Sequence, residues 1–141
     1  RSIRASPDLR PMRFRDLPLE KPELRELGRV LGEDRIRGIV RRFYDRMSRD
    51  ILIGFFFDGK DLDRIASEQS AFLLRAMGLR PSYSGLAPAD AHDDLPPILV
   101  GHFDRRLVVL DEHLKEEGLN DSQRQVWIAF ENAFRNSILK T

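Results

Sequence analysis

Three histidines, His92, His102 and His113, are the first side chains in this 141-residue chain that raise a question of chemistry. They stand 10 and 11 residues apart, so no two share a helical turn as the paired histidines of a zinc site do. The chain has no cysteine, which removes disulfides, thiolate metal sites and cysteine nucleophiles. "DAHDD" around His92 offers hard oxygen ligands but lacks the spacing of a calcium loop. "GFFFDGKD", residues 54–61, nearly spells a phosphate-binding loop. Asp61 stands where that motif needs a metal-binding hydroxyl, the interior is Phe-rich and no strand pattern precedes it, so nucleotide binding is set aside. Nor is there a nucleophile elbow to support a hydrolytic triad.

The segments that must position these residues read as helices, with no strand alternation and no internal repeat. A short helix is expected from Pro22 to about Val30, interrupted by Gly32. In the next segment Ile36, Ile39, Val40, Phe43, Tyr44 and Met47 recur with the period of one helical face. A short apolar piece, "RDILIGFFFDGKD", follows. A third helix begins near Asp61, carries Leu62, Ile65, Ala66, Gln69, Phe72, Leu73 and Met77 in one stripe, and ends at Gly78 and Pro81. Residues 79–98 read as loop, with room for little more than a helical turn before His92. A fourth helix runs from about Val100 to Glu117 and presents Phe103, Leu107, Leu110 and Leu114. Asn120 or Asp121 caps the last, with Gln123 placed to complete a capping box. Trp127, Phe130, Phe134 and Ile138 make its buried face. The fold class expected is all-α, five or six helices packed in layers.

Composition bounds the rest. Hydrophobic residues make up 41% and charged residues 33%, the balance of a soluble single domain long enough to bury a core. No apolar run approaches the roughly 20 residues that span a bilayer, and no secretory signal is visible. Residues 1–15 hold five arginines against one aspartate, leaving 19 basic and 22 acidic side chains in the rest. That arm reads as a poorly ordered leader over residues 1–19, with the domain at 20–141. A cytoplasmic protein without nucleic-acid or membrane partners is expected.

Two polar residues interrupt apolar faces: Tyr44 on the second segment and Gln69 on the third. Buried polar groups need partners. The two either bond to each other or to a backbone carbonyl, or line an apolar pocket as convergent hydrogen-bonding groups. A lone histidine near such a pocket suffices as metal ligand only where a cofactor brings the other ligands. Haem does so, since the porphyrin supplies four nitrogens.

The order "RRFYDRM", "GFFFDG", "DLDRIASEQSAFLLRAMG", "PSYSG", "APADAH" and "GHFD" resembles the truncated haemoglobins, the short two-over-two form of the globin fold, over about residues 25–140. Phe43–Tyr44 matches the family's helix B signature and Phe55–Phe56 its aromatic pair against the porphyrin. His92 stands seven residues after Gly85, where the family places its iron ligand. A glutamine on the distal helix and no tryptophan in the fourth point to a group I-like member. The resemblance implies haem b (iron protoporphyrin IX) held by His92, with Tyr44 and Gln69 as distal donors and Ile65 at an apolar distal gate. It implies Phe55 and Phe56 against the haem, and Phe72, Leu73, Phe103 and Leu107 around the pocket. His102 and His113 are rivals for the iron, with His92 preferred.

The sequence also departs from the family pattern. "DDLPPILVG" replaces the usual stretch after the proximal histidine, and the usual register puts Arg106 at an apolar pocket position. Either the helix shifts by one and Leu107 takes that place, or Arg106 reaches a haem propionate. The function implied is reversible binding of O2, NO or CO, with nitric oxide dioxygenase-type activity open if an external reductase serves it. The alternative is a haem-free globin-like interaction or regulatory domain in which Tyr44 and Gln69 satisfy each other.

Overall fold

A computed structural model of the chain describes residues 21–80 and 98–139, with the Ser137 side chain left aside. Six α-helices occupy these residues: α1 Pro22–Leu31, α2 Glu33–Ser48, α3 Leu62–Ala76, α4 Val100–Glu116, α5 Asp121–Asn132 and α6 Arg135–Ile138, with a 3₁₀ turn Gly54–Phe57 between α2 and α3. No strand occurs among the described residues, and no helix there is long and apolar enough to cross a membrane.

Local chemistry sets the helix ends. Pro22 opens α1, where its missing N–H costs nothing. Gly32 alone separates α1 from α2 and sits at φ 80°, a left-handed conformation that suits glycine and turns the chain within one residue. The Asp61 carboxylate accepts the Arg64 N–H at 3.2 Å to cap α3. Asn120 and Gln123 form the expected reciprocal box at the start of α5, at 2.8 and 2.9 Å. α2, α3 and α4 stand within a residue or two of the limits read from periodicity, whereas the last expected helix, read through Ile138 as one face, stops at Asn132 and Ile138 falls in the separate short helix α6.

Packing follows the apolar stripes. α2 lies centrally, packed most extensively against α3 and also against α1, α4 and the 3₁₀ turn, while α5 covers α4 and α1. The core contains Ile36, Ile39, Val40, Phe43, Met47, Leu73, Leu74, Leu110, Leu114 and Trp127. At Gly28 the helices meet at backbone distance, since a Cβ there would lie 2.7 Å from the Met77 Cβ. α4 and α5 are laced antiparallel by Arg124–Asp111 at 3.0 Å and Arg106–Glu131 at 3.0 Å, and Arg135 of α6 continues the series to Asp104 of α4 at 2.7 Å. The turn after α2 is held to α4 by Asp50, whose carboxylate accepts from Arg105 at 2.6 Å and from the N–H groups of Leu52 and Ile53. The Arg105 guanidinium, acting against burial, holds that carboxyl below the usual carboxylate range.

His113 is part of this scaffold. It is 3% exposed, its Nε2–H donates to the Ile39 carbonyl at 2.9 Å, and its ring lies 5.6 Å from that of Phe43. Its Nδ1 is buried without a partner. Burial pushes its pKa below the ordinary histidine value; the Ile39 carbonyl and Glu117 oppose this, while Arg46 and Arg42 assist it. The unfolded chain therefore takes up the proton first, so His113 contributes stability above about pH 6.5 that is lost as pH falls from there through the depressed folded value. Urea melts between pH 7.5 and 5.5 should show falling stability in the wild type and a flatter profile in His113→Gln, which keeps an N–H for the carbonyl. Identical slopes would remove His113 from this account.

Candidate functional site

The last turns of α2 bring Phe43, Tyr44 and Met47 to the middle of the molecule, all buried. Gln69 of α3, Arg106 of α4 and Glu131 of α5 close around them. The Arg106 guanidinium grips one Glu131 oxygen through Nε at 3.1 Å and Nη2 at 3.0 Å. The other carboxylate oxygen accepts Gln69 Nε2 at 3.5 Å. Arg106 Nη1 points to the Met47 sulfur at 3.8 Å, and its Cζ lies 5.2 Å from the Phe43 ring centre and 5.8 Å from that of Tyr44, within cation–π range. Only 19% of the Arg106 side chain and 9% of the Glu131 side chain reach solvent. Four helices thus contribute to one interior polar cluster.

Its electrostatics are mutually dependent. Burial pushes the Tyr44 phenol pKa up; the Arg106 charge and hydrogen bond pull it down, and Glu131 pushes it up again. For Arg106, burial works against the charge, but Glu131 and Tyr44 overcome it and hold the guanidinium firmly protonated. An ion pair this enclosed loses much of its hydration, so its partners matter more than its Coulomb energy.

Tyr44 and Gln69 each meet one member of the same ion pair, Gln69 hydrogen-bonding Glu131 and Tyr44 lying against Arg106. The Arg106 guanidinium is turned inward to Glu131, while Leu107 is half-buried at the edge of the core. Glu131 was not singled out from the sequence. The available signal was a carboxylate next to Phe130 on the buried face of α5, across from an arginine of α4.

The other expected site residues divide. Phe56 is buried and stacked on Phe55 at 4.2 Å, and Phe55 is 47% exposed. His102 stands edge-on to both rings, at 5.1 and 5.6 Å, and its Nδ1 accepts the Leu99 N–H at 3.1 Å, so it serves the start of α4. Phe72 packs with Phe134 and Phe130 at 5.5 and 6.0 Å. Leu73 is fully buried, and Phe103 is buried beneath Arg135 at 4.8 Å. Ile65 is half-buried against the core. His92 lies outside the described residues. Among the described residues, no group of three or more His, Asp or Glu is placed to hold a metal ion.

Helices in this order, with the α2–α3 pair packed on the α4–α5 pair mainly through α2 and α4, form an all-α globin fold. The chain belongs to the bacterial-like globin family, whose model matches residues 27–140. It is 29% identical over 103 residues to a group 1 truncated hemoglobin of Chlamydomonas moewusii, covering 72% of this chain and 60% of that one. It is 30% identical over 91 residues to a group 1 truncated hemoglobin of Tetrahymena pyriformis, covering 64% of this chain and 74% of that one. The matched stretch thus spans less than two thirds of the Chlamydomonas relative. A crystal structure of the Tetrahymena protein, a tyrosine-to-phenylalanine variant in the Fe(III) form, superposes with a TM-score of 0.74 at 25% identity over 82% of this chain and 98% of that one. A glutamine-to-glutamate variant gives 0.74 at 26% identity over 86% and 100%. Membership in the globins implies haem as the class of cofactor and diatomic gases as the class of ligand.

The residues present fit such a group on two counts. Phe55 and Phe56 offer stacked, partly exposed aromatic surface of the kind that receives a planar ligand. In the interior, buried Tyr44 and half-buried Gln69 supply hydrogen-bonding groups.

Because the ion pair is enclosed, breaking it and deleting it should differ. Glu131→Leu strands the Arg106 charge and should cost about 3–5 kcal/mol, whereas Arg106→Met with Glu131→Leu should cost far less. Equilibrium urea denaturation of the two variants checks the difference. Equal losses would mean the pair is solvated.

Proposed function

We propose that this protein is a haem b globin that reversibly binds O2, NO or CO, with residues 20–141 as the globin unit and His92 as the iron ligand. The observation that carries the reading is the buried Tyr44 of α2 inside a truncated-globin fold. His113 has its Nε2 committed to a backbone carbonyl and His102 serves the N-terminus of α4, which favours His92 over both. Haem would supply an iron centre able to bind a diatomic gas. Around it, Phe55, Phe56, Ile65, Phe72, Leu73, Phe103 and Leu107 would form the apolar wall that excludes water, while Tyr44 donates a hydrogen bond toward the ligand. Storage or transport of oxygen, and nitric oxide dioxygenation served by an external reductase, both lie within this chemistry. A cytoplasmic setting agrees with the charge-rich, cysteine-free chain.

One observation favours a second reading, a haem-free globin-like interaction or regulatory domain: the Arg106–Glu131 pair already engages both Tyr44 and Gln69 within the fold. Absorption spectra after haem reconstitution separate the two. The haem reading expects one haem per chain in the wild type, a carbonyl complex on reduction and loss of the histidine-ligated spectrum in His92→Ala. A wild type that takes up no haem, or spectra indifferent to His92, would sink the assignment.

A further inference from the structure

A phenol can both donate and accept, so its value as a donor depends on what occupies its oxygen. In this interior Tyr44 lies against the Arg106 guanidinium, whose Cζ is 5.8 Å from the ring centre and which has only N–H donors and no acceptor. A phenol beside a guanidinium cannot spend its hydrogen on it and keeps it for another partner, and the nearby cation polarises that O–H into a stronger donor. Arg106 is in turn fixed by Glu131 through two N–H groups, so the guanidinium cannot swing away from α2 without breaking an enclosed ion pair. Glu131 also draws the Gln69 amide nitrogen toward α5. The same pair thereby aims one polar side chain and holds the other.

We propose that Arg106 and Glu131 are positioning residues of the ligand pocket: they hold Tyr44 as the donor to the bound gas and keep the Gln69 amide nitrogen on Glu131. The assignment rests on the haem reading above. It makes Tyr44 the principal donor, with Gln69 subordinate, and it places the control of Tyr44 on α4 and α5, outside the tyrosine's own helix. Arg106 acts through Tyr44 and does not itself touch the ligand.

The test uses haem-reconstituted protein and two readouts, the C–O stretching frequency of the carbonyl complex and the oxygen dissociation rate. Arg106→Met with Glu131→Met removes the pair without stranding a charge. Arg106→Gln with Glu131→Gln, which keeps hydrogen-bonding groups and strands no charge, is the second variant should the first fail to fold. The expected result is a stretch moved toward that of Tyr44→Phe and oxygen release faster by roughly tenfold, the worth of one charge-assisted hydrogen bond. Adding the pair's removal to Tyr44→Phe should change nothing further, and Gln69→Leu alone should change either readout little. An additional shift in the Tyr44→Phe background would mean that Arg106 or Glu131 acts on the ligand directly, which overturns the positioning role. Unchanged stretch and release rate in a haem-loaded variant would leave the pair purely structural and overturn it as well.

Failure of the haem reading shows up separately, as absence of haem uptake by the wild type. The hold on Tyr44 is then read without haem, by NMR of tyrosine labelled at the hydroxyl-bearing ring carbon, with Tyr44→Phe distinguishing Tyr44 from Tyr83. A Tyr44 signal moved by removing the pair supports the hold, and one left in place refutes it.

Discussion

The enclosed ion pair between Arg106 and Glu131 is the constraint on which the rest of this interior depends. It joins α4 to α5 between two more exposed ion pairs, Arg124 of α5 with Asp111 and Arg135 of α6 with Asp104. Through Tyr44 and Met47 it reaches α2, and through Gln69 it reaches α3. Burying two charges is expensive unless every neighbour is arranged to receive them. Once the pair is present, the positions of Tyr44, Gln69, Phe43 and Met47 are no longer independent of one another.

Around that cluster the fold divides its labour. The end of α2 is tied down at Asp50, which gathers the N–H groups of the following turn and the Arg105 guanidinium of α4. This places the Phe55–Phe56 stack against the start of α4, where His102 closes both an aromatic contact and a helix end. His113, one helical stretch further along α4, is spent on the α2 backbone. The two described histidines therefore build the frame, and the chemistry proposed for the site falls to a tyrosine, a glutamine and the pair that controls them.

Much of the frame was legible from residue order alone. The α2 stripe from Ile36 to Met47 and the α3 stripe ending at Met77 are period signals strong enough to place helices, and Asn120 with Gln123 marks a helix start by local hydrogen bonding. Tyr44 and Gln69 stood out because polar side chains on apolar faces must find partners. The identity of those partners was not legible, because Arg106 and Glu131 are 25 residues apart and each alone looks like a surface charge.

What the sequence by itself determined is therefore what propagates locally: helix positions, their apolar faces, the Asp61 and Asn120 caps and the single-residue turn at Gly32. Periodicity and capping act over one to three turns and need no distant contact. Only the tertiary structure decided that Arg106 turns inward, that Glu131 receives it, that Tyr44 and Gln69 meet that pair and not each other, and that His113 bonds to Ile39. Each of these choices is a competition between hydration and a partner on another helix, and burial settles it once the helices have packed.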